Sequence, residues 1–212
     1  MSTKDLMFDF ETMGTEPTTC AALDVSAMVF DWDRMTSSNP YTVKDIKDTR
    51  TFKLSVGDQV KNYGYAVEPS VIEFWQSQPK NVRAKIKPQA DDLTVEQFVK
   101  DFHNYIIDAG VKHWWSRSNT FDPVILTRLF DSQGKKEHLH SYLKFYLVRD
   151  TRTYIDAKFN FEQKKNGFCP VADEKAWDNT FRPHDSSWDI LADVLRLQAI
   201  VRAENDLEQI TI

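Results

Sequence analysis

Asp9 and Glu11 are separated by one residue, flanked by Phe8 and Phe10, and followed at once by Thr12, Met13 and Gly14. On an extended strand, side chains two apart share a face and stand roughly 7 Å apart, at about 3.3 Å of rise per residue. The alternation puts both carboxylates on one side and both phenylalanines on the other. The phenylalanines can anchor the strand in a core, leaving the acids together at its end, just before a glycine. Two like charges this close repel. A divalent cation such as Mg2+ relieves the repulsion and takes hard oxygen ligands. The same pattern also suits an edge strand with a solvated acidic face.

Two later segments carry residues of the same kind. In the first, Asn119, Phe121 and Asp122 precede Pro123. Proline favours the first helical position, so Asp122 falls where a helix N-cap belongs, a role sufficient in itself. In the second, His184, Asp185, Ser186, Ser187, Trp188 and Asp189 run in sequence. Ser186 and Asp189 have the spacing of a capping-box-like pair. His184 then lies on the loop before a helix, and Asp189 in the helix's first turn. Arg149, Asp150 and Thr151 read as the close of a strand and the cap of the next helix, a supporting position.

The elements that must position these residues follow from periodicity. Residues 21–32 and 50–56 read as strands, forming an antiparallel meander with the first. Ser70 and Glu73 have capping-box spacing and open a short helix carrying Phe74 and Trp75. Thr94 and Gln97 form a second capping box. It starts a helix with Phe98, Val99, Phe102, Tyr105 and Ile106 on one face, ending at Gly110. Residues 111–116 read as a strand, 123–130 as a helix stopping before Gly134, 146–148 as a short strand, and 151–158 as a helix. Residues 162–182 read as a long loop and 186–203 as a final helix. Three strands followed by alternating helices and strands predict an α/β mixed sheet with helices packed on it.

Bulk properties narrow the function. A chain of 212 residues, 41% hydrophobic and 28% charged, is expected to form one globular domain spanning 1–212. No apolar run approaches the roughly 20 residues of a membrane span, and no secretory leader is visible, so a cytoplasmic setting and no membrane partner are expected. Cys20 and Cys169 form no metal-type pair, which fits a reducing compartment. The net charge of −5 gives no overall attraction to nucleic acid, so a phosphate partner would have to be drawn by metal or by a local basic patch. Lys80, Arg83, Lys85 and Lys87, then Lys135 and Lys136, then Lys164 and Lys165 are such patches, and each also reads as ordinary solvated surface.

Taken together, the order Asp9-x-Glu11-Thr12, then Asn119 to Asp122, then Asp150-Thr151, then His184-x-x-x-x-Asp189 resembles the DEDDh class of 3′–5′ exonucleases. Phe8 to Gly14, Ile72 to Trp75, and Phe121-Asp122-x-x-Ile125-Leu126 are similar to the phage exonuclease A group, related to a bacterial exoribonuclease-like family. The similarity runs over nearly the whole chain. It implies the RNase H-like exonuclease fold, a mixed five-stranded sheet flanked by helices. By resemblance, Asp9, Glu11, Asp122 and Asp189 would hold two divalent cations, Mg2+ or Mn2+, and His184 would be the general base. Hydrolysis from the 3′ end would release nucleoside 5′-monophosphates. Thr12, Met13, Trp75 and Phe121 would contact substrate, the first two through their backbone. The expected partner is single-stranded nucleic acid, DNA favoured and RNA the alternative, and a homodimer is implied for several relatives.

Other residues have plainer readings. His103, His113, His138 and His140 lack metal-ligand spacing. Trp75, Trp114 and Trp115 could stack on bases, and at least one of the adjacent pair should be core. A non-catalytic nucleic-acid-binding module is a competing reading, but such a module would usually lose an acid or the histidine, and none is lost here.

Overall fold

The computed structural model describes residues 4–161, 165–173 and 181–209. Five strands form one sheet: β1 (Lys4–Thr12), β2 (Ala22–Asp31), β3 (Arg50–Lys53), β4 (Trp114–Ser116) and β5 (Val148–Asp150), in the order β3-β2-β1-β4-β5. The first three strands pair antiparallel, whereas β4 and β5 run parallel to β1. The helices are α1 (Trp32–Thr36), α2 (Val56–Tyr63), α3 (Pro69–Ser77), α4 (Lys80–Lys85), α5 (Val95–Ala109), α6 (Asp122–Asp131), α7 (Lys136–Tyr142), α8 (Thr151–Lys158), α9 (Pro170–Asp173) and α10 (Ser186–Glu204). This is the expected mixed five-stranded sheet flanked by helices. Among the described residues no helix is long and apolar enough to cross a membrane, and Cys20 and Cys169 are buried free thiols.

The alternation in β1 builds two cores. Leu6, Phe8 and Phe10 pack with Phe98 and Phe102 of α5 and Leu126 and Phe130 of α6. Met7 on the other face packs with Met28, Phe30, Trp115 and Ile190, Leu191 and Val194 of α10. Burial of each large apolar side chain contributes roughly 1.5–3 kcal/mol, so this two-sided packing fixes which face of β1 the odd-numbered residues present. Asp9 and Glu11 therefore look toward α10.

Local chemistry sets the boundaries. The Thr94–Gln97 capping box forms as expected, and Gly110 ends α5 in the left-handed conformation. The expected box at Ser70 does not form, because Pro69 takes the first helical position and Glu68 is the N-cap. The Glu68 carboxylate is instead bound by the Thr15 backbone N–H at 2.8 Å. The last strand starts at Val148, not Tyr146, since Phe145–Leu147 wind into a 3-10 turn. The strand expected over 111–116 pairs in the sheet only at Trp114–Ser116. Helices α1, α2, α4 and α7, and a 3-10 turn at Val43–Asp48, had no sequence expectation. The segment expected as loop over 162–182 carries the single turn α9. Its residues 162–164 and 174–180 lie outside the described residues.

Candidate active site

The site forms where β1 outruns its neighbour. Strand β4 pairs with β1 only at Leu6 and Met7, so the later part of β1 has an open edge on that side. An N–H left buried there must find a partner. The chain leaves β4, turns, and begins α6 at Asp122, whose Oδ1 accepts the Phe10 N–H at 3.0 Å. Asp122 is thus the first residue of α6, with Phe121 as N-cap, and not the N-cap expected from the sequence. Its carboxylate holds β1 instead of its own helix, and the residue is 3% exposed.

Helix α10 crosses the same face and delivers Asp189 in its first turn. Single carboxylate oxygens of Asp9, Glu11 and Asp189 all lie within 4.8 Å of one another. Asp122 stands outside that tight group but lines the same cleft of about 670 Å³, as does His184. All five of these side chains therefore meet in one cleft.

The expected capping pair of Ser186 and Asp189 does not form. Asp185 is the N-cap position, and Ser186 instead reaches down to β2, donating to Asp24 Oδ1 at 2.6 Å and lying 2.8 Å from Ser26 Oγ. Asp24 sits opposite Glu11 across the β1–β2 ladder. This buried chain ties the start of α10 to the strand beside Glu11. His184 has a φ of +60°, a left-handed conformation uncommon for a residue with a Cβ. Its exposed ring stands edge-to-face with Phe74, centroids 5.1 Å apart.

The electrostatics of the acids are those of a crowded, dehydrated group. Burial, then the neighbouring carboxylates, pushes Asp9 and Glu11 well above the ordinary carboxylate range. The largest carboxylate influence is Asp122 on Asp9 and Asp24 on Glu11. Asp122 and Asp189 are each pushed up to about 7, again chiefly by burial. Carboxylates gathered without a countercharge hold protons for this reason, and a hard divalent cation among them reverses the preference. The donor set is all oxygen and its members converge, so the residues fit such a cation.

Asp193, one turn beyond Asp189, behaves oppositely. It is buried, yet it receives Arg117 at 2.5 Å, Arg196 at 2.7 Å and the Thr151 hydroxyl at 2.8 Å, which outweigh the burial and hold its carboxyl low. Asp193, Asp24, Arg117 and Arg196 were not singled out from the sequence. For Asp193 the i,i+4 spacing from Asp189 was a usable signal. Arg117 carried none. Asp150, expected as a supporting cap, accepts the Thr153 N–H at 2.6 Å and also the Asn119 N–H at 3.0 Å.

The residues expected at the substrate take different positions. The Met13 N–H donates to Ala21 and its carbonyl accepts from Glu68, both at 2.8 Å, while the Thr12 carbonyl accepts the Trp75 indole N–H at 2.9 Å. These main-chain groups are thus tied into the fold beside the cleft. Trp75 is 3% exposed and packs under Thr12, so it supports the strand instead of offering a stacking face. Phe74, at 39% exposure, is the open aromatic beside it, and Phe121 lines the cleft. Gly14 is required for space: a Cβ there would meet Cys20 Cβ and Glu68 Oε1, each at 2.7 Å. Trp114 and Trp115 are both core. His103 and His138 stack on each other, and His113 bonds the buried Asp5, all outside this cleft.

Comparison with known proteins gives three similarities. Residues 4–179 match the family described as the 3′-5′ exoribonuclease Rv2179c-like domain. Over 219 residues the chain is 27% identical to an exodeoxyribonuclease of Enterobacteria phage T4, covering 96% of this chain and 92% of the phage protein. The structure of E. coli exonuclease I in complex with a dA16 oligonucleotide superposes with a TM-score of 0.66 at 15% identity, over 96% of this chain and 42% of that one. The zinc-bound E. coli exonuclease I complex with single-stranded DNA gives 0.65 at 15% identity, over 97% and 42%. The chain thus spans about two fifths of exonuclease I, and at that identity the likeness establishes the RNase H-like fold. With the match running over most of the chain, and this fold beneath it, the protein belongs to the 3′-5′ exoribonuclease Rv2179c-like domain family and is an exonuclease.

Proposed function

We propose that the protein is a metal-dependent 3′–5′ exonuclease of the DEDDh class that shortens single-stranded nucleic acid, DNA in preference to RNA. The observation that carries this reading is the convergence of Asp9, Glu11 and Asp189 oxygens within 4.8 Å, with Asp122 and His184 in the same cleft. Asp9, Glu11, Asp122 and Asp189 would hold two divalent cations, Mg2+ or Mn2+. Such cations neutralise phosphate charge and align the attacking and leaving oxygens.

The chain's own residues supply the rest. Asp122, fixed by the Phe10 N–H, holds the end of β1 against the start of α6. His184 stands on the exposed rim of the cleft, where an imidazole can accept a proton from the attacking water near neutral pH. Phe74 and Phe121, flanking the groove that runs past Thr12 and Gly14, offer faces to the terminal nucleoside. Supporting the DNA preference is the full-length similarity to the phage exodeoxyribonuclease. The family's own description favours the second reading, an exoribonuclease with the same mechanism.

Purified protein with Mg2+ or Mn2+ should shorten a 5′-end-labelled oligonucleotide one residue at a time and release nucleoside 5′-monophosphates. EDTA should stop the reaction. Asp9→Asn and His184→Ala should each lower the rate by about 10²-fold or more with little change in fold, as expected when a ligand or a general base is removed. Failure of the wild type to shorten either DNA or RNA from the 3′ end would falsify this reading.

A further inference from the structure

The cleft that holds the acids and His184 is also lined by Arg117, Arg152, Lys165 and Arg196. Two of these cations are already committed, since Arg117 and Arg196 face the carboxylates of Asp193 and Asp173. That network balances itself. Arg152 and Lys165 form no ion pair with an acid among the described residues, and both are exposed at the cleft's edge.

Their position is built, not incidental. Gly167 has a φ of +71° and lies directly on the stem of Arg152 and the guanidinium of Arg117: a Cβ there would stand 2.7 Å from Arg152 Cγ and 2.9 Å from Arg117 Nη2. Its carbonyl accepts Arg117 Nη2 at 3.0 Å, and its N–H donates to Asp156 Oδ1 at 2.6 Å. Glycine is the residue that permits both the backbone conformation and the close approach. The loop bearing Lys165 is thereby pinned against α8, which carries Arg152, and both side chains line the cleft.

We infer that Arg152 and Lys165 form a subsite for the phosphodiester on the 5′ side of the scissile bond, so that the enzyme grips chains longer than a single ester. The inference rests on the hydrolytic reading above, which makes the occupant of this cleft a string of phosphates. A guanidinium and an ammonium free of carboxylate partners are the groups such a phosphate recruits.

The test compares two substrates of the wild type, the Arg152→Ala/Lys165→Ala double variant, and Arg152→Lys. One substrate is a 5′-labelled single strand. The other is the p-nitrophenyl ester of thymidine 5′-monophosphate, which has one phosphorus atom. The oligonucleotide-to-ester ratio of kcat/KM should fall about tenfold in the double variant, through KM, and hold in Arg152→Lys. The slope of log KM against log salt should shrink by about 0.7 for each cationic side chain removed. Anisotropy of a fluorescent strand on an Asp9→Asn background should show the same weakening without turnover. Equal losses on both substrates, or an unchanged salt slope and binding, overturn the subsite. A wild type that cleaves neither substrate overturns the hydrolytic reading itself, and the subsite with it.

Discussion

At the scale of single residues, the acids and the histidine give separate, checkable signatures. Asp122 and Asp189 are pushed up to about 7 in the folded protein, against a reference near 3.9. The folded state therefore binds more protons than the unfolded one between these values. That stability is fully present below pH ~4 and is lost as pH rises through ~7. Metal-free protein should melt lower at pH 8 than at pH 5, and Asp189→Asn should flatten that fall. Mg2+ or Mn2+ should raise the melting temperature at pH 8 more than at pH 5, because cation binding favours the folded state. A wild-type thermal scan whose pH dependence matches that of Asp189→Asn would contradict the assignment. His184 makes a different prediction. A side chain in the left-handed region costs roughly 1–2 kcal/mol, and the strain here sits on the proposed base. His184→Gly should melt at or above the wild-type temperature while losing about 10²-fold or more in activity. A less stable His184→Gly would mean the imidazole is there to hold the loop.

Elements decide how these residues meet. The alternation of β1 was legible in the sequence because the two-residue period of a strand leaves one choice of face once Phe8 and Phe10 are placed in the core. The span of α10 was legible within one residue from its apolar pattern. Two of the expected capping interactions were not, and for a shared reason. Asp122 and Ser186 each found a partner far along the chain, the Phe10 N–H and Asp24, that outcompeted the local backbone. Spacing encodes only local partners. The Ser186–Asp24 bond then becomes testable: Ser186→Ala removes a buried bond of a charged group, worth about 1.5–3 kcal/mol. At roughly 2–4 °C per kcal/mol for a chain of this size, the melting temperature should drop by several degrees. Because the same bond seats the turn carrying Asp189, kcat should fall more than KM rises. A fall in stability with unchanged kcat would make the bond purely structural.

For the molecule as a whole, substrate choice is the open quantity. The net charge of −5 repels nucleic acid at long range, so affinity must come from the cleft and from the cations proposed to bind there. Discrimination between DNA and RNA depends on contacts near the 2′-hydroxyl. Matched single strands of the two should differ in kcat/KM, with DNA the faster, and equal rates or an RNA preference would favour the exoribonuclease reading. The sequence by itself determined the residue types, their order along the chain, the faces of β1 and the span of α10, because periodicity and core burial leave little freedom at those points. Only the tertiary structure decided that four acids separated by up to 180 positions share one cleft. It alone also decided that Asp122 serves the Phe10 N–H in place of its own helix, that Trp75 lies beneath Thr12 and leaves Phe74 open, and that Asp193 is neutralised while Asp189 is not. Each of these outcomes turns on which buried donor or charge a carboxylate or indole meets across the sheet, and such meetings are set by packing between elements that are distant in sequence.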